Sequence, residues 1–183
     1  KPGNYVARQV SRWSKQYRAS ETDNIEAMNN LIEWLPKNIP DDDETTIVHG
    51  DYRLDNMILR NNEVIGILDW ELSTLGHPIA DFSYHCLSWR TQEAFWDEAK
   101  LKELGIPSEK EYMEMYCKYS GKDLSKNWEF YMAFNMFKIA GILQGILGRV
   151  RDGTAASKHA EERGNMVFPL SQAAWETIED NFL

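Results

Sequence analysis

Three short β-prone runs sit close together in a chain that otherwise carries helical periodicity. They are Thr46-Ile47-Val48, Met57-Ile58-Leu59 and Val64-Ile65-Gly66-Ile67-Leu68, with the turn signal Asn61-Asn62 before the last. Runs this short cannot form the main layer of a fold, so they predict one small hairpin-like sheet set into a helical domain. Upstream, Val6, Val10, Trp13, Ser14 and Tyr17 recur at helical spacing and predict a helix over 5–19. Asn24 to Trp34 reads as a second helix, with Ile25, Met28, Leu31, Ile32 and Leu35 on one face and Pro36 and Pro40 bracketing its end. Downstream, Ala80 to Trp89 is apolar nearly all round, which predicts burial. Ser108 and Glu111 form a capping box ahead of a face made by Tyr112, Met115, Tyr116 and Tyr119. Trp128 to Val150 predicts a long buried helix, and Thr154 to Asn181 predicts further helix with a break near Pro169. The expectation is a single α+β, mostly helical domain over residues 1–183.

The chain is 183 residues long, enough for one core and too short for two ordinary ones. At 43% hydrophobic residues and 12% aromatics it is not a disordered or fibrous sequence. A formal net charge of −9 makes it a poor match for a nucleic-acid backbone or an anionic membrane, so no nucleic-acid partner is expected. No apolar run approaches the length of a membrane span, Ile139 to Leu147 being interrupted by Gln144 and glycines. Cys86 and Cys117 have neither disulfide-framework nor metal-ligand spacing and read as buried small hydrophobes in a reduced, intracellular compartment. Cytoplasm, mitochondrion and peroxisome are equally compatible with that reading. The opening Lys1-Pro2-Gly3, without Met or a signal-peptide pattern, leads us to expect a piece of a longer protein.

The chemistry concentrates in His49-Gly50-Asp51-Tyr52-Arg53-Leu54-Asp55-Asn56, followed by Leu68-Asp69-Trp70-Glu71 and by Gly76-His77-Pro78-Ile79-Ala80-Asp81. Phosphoryl transfer needs a carboxylate to accept the proton of the attacking hydroxyl, and oxygen ligands for the metal that bridges the phosphates. An Asp and Asn in one loop, then a strand, a turn, a strand and another Asp, supply that set. The remaining histidines, His77, His85 and His159, fit no zinc pattern and read as structural. No Gly-x-Ser-x-Gly hydrolase signature is present.

These motifs resemble the catalytic and metal-binding segments of protein-kinase-like phosphotransferases, in particular the aminoglycoside phosphotransferase and choline kinase branch. The longer run from His49 to Pro78, with Trp128-Glu-Phe-Tyr-Met-Ala-Phe134 and Ile142-Leu-Gln-Gly145, is similar to the phosphotransferase domain fused to certain large acyl-CoA dehydrogenases. The resemblance implies the C-terminal lobe of a kinase-like fold, with ATP and Mg²⁺ as co-substrate and cofactor. It puts Asp51 at the catalytic-base position, and Asn56 and Asp69 at the metal-ligand positions. Arg53 falls where protein kinases place a Lys that neutralises the transferring phosphate. His49 and Asp81 take bracing positions. Asp55 and Glu71 stay open between a site role and a solvated or bracing one, and Glu71 is carried as a candidate substrate contact. The acceptor it implies is a small-molecule hydroxyl, such as a hydroxyacyl-CoA or related hydroxy acid.

On the long helix, Asn135, Lys138 and Arg149 fall within roughly a 60° stripe at about 100° per residue. They are candidates for contacting an anionic acceptor; equally, Lys138 and Arg149 are placed to snorkel or to pair with acidic neighbours. The 48 residues ahead of His49 read as two helices and the acidic run Asp41-Asp42-Asp43-Glu44. They offer no glycine-rich phosphate loop and no Lys-bearing strand, so an N-terminal nucleotide-binding lobe is expected elsewhere in the parent protein, along with a fused dehydrogenase domain. Gly141, Gly145 and Gly148 are spaced for close helix packing instead. Residues 1–183 alone are therefore expected to be weakly active or inactive. The alternative is a non-catalytic, pseudokinase-like binding or scaffold domain.

Overall fold

The computed structural model describes residues 3–42, 44–91 and 98–183. Lys1, Pro2 and Asp43 of the motifs above lie outside the described residues. Helix α1 (Tyr5–Ser20) and α2 (Glu26–Trp34) come first. Strand β1 (Thr46–Val48), β2 (Met57–Arg60), β3 (Glu63–Ile67) and β4 (Thr74–Gly76) follow. Then come α3 (Pro78–Cys86), α4 (Ser88–Thr91), α5 (Glu98–Glu103), α6 (Glu109–Ser120), α7 (Trp128–Arg151), α8 (Ala160–Asn165) and α9 (Val167–Phe182).

Helix α7 is the axis of the molecule. Phe130, Tyr131, Met132, Ala133, Phe134, Met136 and Phe137 are all buried, which requires neighbours all round it, and α1, α3, α8 and α9 supply them. Each large apolar side chain so buried contributes roughly 1.5–3 kcal/mol relative to exposure. Helix α1 presents Val6, Val10, Trp13 and Tyr17 to this core, and α9 presents Val167, Leu170, Ala174 and Ile178. Close approach of α1 to α7 depends on Gly148, where a Cβ would sit 3.1 Å from Ser20 Cβ. By length and composition alone α7 would also cross a bilayer, which amends the expectation that no segment approaches a span. In this fold it is the core helix.

The β segments differ from one hairpin-like sheet. Strands β2 and β3 do form an antiparallel hairpin, Met57 opposite Ile67, turning through Asn61 and Asn62 with φ of 52° and 63°. Positive φ at both positions matches the right-handed twist of the strands and suits Asn. Strand β1, however, pairs with β4 in a separate antiparallel ladder, Thr46 opposite Gly76 and Val48 opposite Thr74. This second ladder closes the segment between His49 and Ser73 into a loop with the hairpin inside it. Ile47, Leu59, Val64 and Leu75 are exposed on these two sheets.

Two further differences have simple causes. The capping box of α6 forms, with Ser108 and Glu111 reciprocally bonded, but the packed face is Tyr112, Met113, Tyr116 and Cys117; Met115 and Tyr119 are exposed. The C-terminal break falls at Met166, ahead of Pro169, which sits in the first turn of α9 where a missing N–H leaves no bond unmade. Arg90 of α4 donates to Glu109 at 2.8 Å and to Glu129 at 3.0 Å, tying α4 to α6 and α7.

Candidate active site

The loop from His49 to Asn56 leaves β1 and is held by its own backbone groups. Asp81, in the first turn of α3, accepts the His49 N–H at 2.7 Å and the Gly50 N–H at 2.9 Å on its two carboxylate oxygens. Gly50 has φ +86°, and a Cβ there would lie 2.6 Å from Leu72 O, so the turn admits only glycine. His49 is buried, with Nε2 2.8 Å from Leu68 O. A carbonyl can only accept, so Nε2 carries the proton, and Nδ1 is left to accept the Asp51 N–H at 3.3 Å.

That bracing presents Asp51. Its Oδ1 accepts from the Tyr84 hydroxyl at 2.8 Å and its Oδ2 from Asn56 Nδ2 at 3.1 Å; the same Nδ2 reaches Asp51 O at 2.9 Å. Burial, then the hydrogen bond to Asp51, pushes the Tyr84 hydroxyl up to about 12, so it stays a donor. Arg53 is exposed and paired with Asp55, and that hydrogen bond raises its guanidinium further above the usual value.

The backbone of Asn56 is tied to Leu68, the residue before Asp69. The Leu68 N–H donates to Asn56 O at 2.8 Å while its carbonyl is held by His49. Asp69 follows in the left-handed region at φ 64°, with its side chain exposed, and opens the tight turn Trp70–Leu72 that carries exposed Glu71. With Asn56 Nδ2 engaged on Asp51, its Oδ1 is the oxygen free to ligate. Among the described residues no three His, Cys, Asp or Glu side chains form a metal cage. Mg²⁺ does not need one: it takes one or two protein oxygens and completes its shell with phosphates and water, so this donor set fits it.

The three candidates on α7 separate. Lys138 reaches the loop: Nζ is 3.4 Å from Gly50 O and 4.7 Å from the Tyr84 ring centre. Burial pushes its ammonium down. Asn135 does not face a cleft. It is buried, its amide donating to Ala80 O at 2.9 Å and Ser83 Oγ at 2.8 Å, and it ties α7 to α3. Arg149 shares their angle around the helix but lies about 16 Å further along the axis than Lys138, at 1.5 Å per residue, so the loop is out of its reach. It is exposed there.

A cavity of about 520 Å³ opens beside Tyr84, the residue bonded to Asp51, lined also by Arg53, His85, Trp89, Leu143 and Arg163 among others. Tyr84 and Arg163 escaped the sequence reading. Tyr84 sat inside an apolar helical run, and the usable signal was its spacing: three residues after Asp81, it shares that residue's helix face.

The sequence model of a family described as "Phosphotransferase enzyme family" matches residues 1–116. Acyl-CoA dehydrogenase family member 10 of Mus musculus is 45% identical over 183 residues, 96% of this chain and 17% of that protein. Acyl-CoA dehydrogenase family member 11 of Homo sapiens is 40% identical over 185 residues, 97% of this chain and 24% of that protein. A solved structure from Ralstonia eutropha JMP134, provisionally named an aminoglycoside phosphotransferase, superposes with a TM-score of 0.91 at 49% identity. The match covers 100% of this chain and 58% of that one. The chain thus spans less than a quarter of the two dehydrogenase relatives.

Proposed function

The chain belongs to the phosphotransferase enzyme family, and from that premise we propose that it is the C-terminal lobe of a kinase for small-molecule hydroxyl groups, dependent on ATP and Mg²⁺. Its fold is kinase-like, mostly helical with small sheets. The observation that carries the proposal is Asp51: a carboxylate fixed by two donors, Asn56 and Tyr84, the second of which lines a cavity of about 520 Å³.

In this reading Asp51 accepts the proton of the acceptor hydroxyl and orients its oxygen for in-line attack. Arg53, steered by Asp55, offsets charge on the transferring phosphoryl group. Asn56 Oδ1 and the Asp69 carboxylate hold Mg²⁺, which when bound neutralises phosphate charge. His49 and Asp81 brace the loop. Lys138 positions the Gly50 carbonyl instead of touching the acceptor.

The acceptor we propose is a hydroxyacyl-CoA or related hydroxy acid. Arg163 lines the cavity beside apolar Ile139, Leu143 and Leu170, with Arg53 paired to Asp55 at its edge. A cavity with one arginine unpaired among the described residues suits an anionic compound with an apolar chain. A polycationic aminoglycoside fits that lining less well. The exposed apolar residues of the two sheets, Ile47 and Leu59 among them, suit a face on which a nucleotide-binding lobe packs. The fused dehydrogenase domain of the parent protein is proposed from the relatives alone.

The test is mass spectrometry of the full-length parent protein with ATP, Mg²⁺ and a panel of hydroxyacyl-CoAs, hydroxy acids, choline-like alcohols and aminoglycosides. A product heavier by one phosphoryl group from a hydroxyacyl compound supports the proposal. ATP binding without transfer to any acceptor favours the binding-domain reading. Residues 1–183 alone are expected to bind Mg-ATP weakly; micromolar affinity by calorimetry would contradict that.

A further inference from the structure

The two oxygens of Asp51 face different partners. Oδ2 is held from the loop itself, by Asn56 Nδ2 at 3.1 Å. Oδ1 is held from outside the loop, by the Tyr84 hydroxyl at 2.8 Å. Tyr84 rides on α3, the helix whose Asp81 already clasps the His49 and Gly50 N–H groups. One helix therefore grips the loop at its backbone and at its candidate reacting side chain. That helix is registered against the core: buried Asn135 of α7 bonds Ala80 O and Ser83 Oγ on either side of the turn leading to Tyr84. Lys138 stacks on the Tyr84 ring at 4.7 Å and bonds Gly50 O at 3.4 Å, linking ring and loop from a third side. Tyr84, with Arg53, also lines the cavity of about 520 Å³; Asp51 and Asn56 lie behind that lining, so the Tyr84 hydroxyl is the contact that joins Asp51 to the cavity side.

We propose that Tyr84 is a positioning residue that turns Asp51 Oδ1 toward this cavity, so that the acceptor hydroxyl meets Oδ1 while Oδ2 stays on the Asn56 side. The inference rests on the reading of Asp51 as the base. A carboxylate oxygen has two lone pairs; one takes the Tyr84 O–H and the other is open to the acceptor. On transfer, the acceptor O–H breaks and its proton goes to Oδ1. The new bond forms from the acceptor oxygen to the γ-phosphorus. The bond from that phosphorus to the bridging oxygen breaks, and its electron pair leaves on ADP. The terminal torsion of an Asp is broad, so without the Tyr84 bond the carboxylate swings on its Asn56 contact alone. Burial keeps the hydroxyl protonated as the donor this arrangement needs.

The experiment uses the full-length parent protein and reads, in each preparation, the ratio of phosphoryl transfer to acceptor over acceptor-independent ATP hydrolysis. Tyr84→Phe keeps the ring under Lys138 and removes only the hydroxyl. It is expected to lower that ratio roughly 10–100-fold through kcat, with both KM values within about twofold. Lys138→Met, of similar volume, frees the ring from its anchor and is expected to lower the same ratio several-fold. A purely structural role would depress transfer and hydrolysis together and leave the ratio unchanged; an unchanged ratio in both variants overturns the inference. Asp51→Asn separates the two readings. If it retains full transfer, the base assignment fails. If it is inactive while Tyr84→Phe transfers as the wild type does, only the role of Tyr84 falls.

Discussion

The Asp81 carboxylate bridges two consecutive backbone N–H groups, those of His49 at 2.7 Å and Gly50 at 2.9 Å. Residues 32 and 31 positions apart in sequence are thereby joined by charge-assisted bonds at the root of the loop that carries Asp51. Water cannot easily replace them, because His49 is buried. Asp81→Ala leaves both N–H groups without an acceptor and is expected to destabilise the fold by about 3 kcal/mol. Urea unfolding checks this. Asp81→Asn, which keeps one acceptor oxygen, is expected to fall between the two, and a loss under about 0.5 kcal/mol for Asp81→Ala would show that the loop is held by other contacts.

Asp51, Asn56 and Asp69 are expected to fail in different ways. Asp51→Ala in the full-length parent removes the proposed base and its orienting effect and is expected to lower turnover on the order of 10²–10⁴-fold. Asn56→Ala and Asp69→Ala are expected to raise the Mg²⁺ concentration needed for half-maximal rate, Asp69 more because it supplies a charge. Initial rates across a Mg²⁺ titration distinguish these outcomes. A Mg²⁺ requirement unchanged in Asp69→Ala would remove that residue from the metal site.

Much of this arrangement is legible in the chain, and the rest is hidden for identifiable reasons. Helices α1 and α7 announce themselves because burial on a fixed face, or on every face, leaves a periodic record. Strand β4 leaves none: Thr74-Leu75-Gly76 is extended because β1 lies beside it, Leu75 opposite Ile47, and not by its own propensity. Tyr84 is hidden differently. In a helix packed on several sides an apolar run masks which hydroxyl reaches Asp51. The stripe on α7 gives the angle of Asn135, Lys138 and Arg149 but not their height along the axis. Height decides the outcome: Asn135 meets α3, Lys138 meets Gly50 and Arg149 lies past both. The packed face of α6 is rotated from the expected row because Met113 and Cys117, not Met115 and Tyr119, turn toward the core.

Mild acid is expected to weaken the fold through His77 and His85. Burial pushes both imidazoles below the usual histidine value of 6.5; for His77 this outweighs the opposing pull of Asp42 and Glu44. The unfolded chain therefore takes up protons, as pH falls through about 6.5, that the folded chain holds off. Their contribution to stability is present above that pH and is lost progressively below it, toward the depressed folded values. Chemical denaturation at pH 7.5 and pH 5.5 measures the slope. The double variant His77→Gln, His85→Gln is expected to flatten it; an equal slope in the variant would assign acid sensitivity to other groups.

Arg163 and Arg149 provide a matched pair of probes for the acceptor site. Both are exposed arginines, one on α8 and one near the end of α7, so their removal changes net charge equally. Only Arg163 lines the cavity beside Tyr84 and Arg53. If the acceptor is an anion seated there, Arg163→Ala removes a local charge pair and is expected to raise the acceptor KM roughly 5–20-fold, with the ATP KM unchanged. Arg149→Ala is expected to leave both within about twofold, since at distances beyond a Debye length of about 8 Å an exposed charge is largely screened. Steady-state kinetics with one anionic acceptor and its neutral amide separates the cases further. The neutral compound is expected to lose the sensitivity to Arg163→Ala. Equal effects of the two substitutions on the anionic acceptor would mean that bulk charge, and not the cavity, selects the substrate.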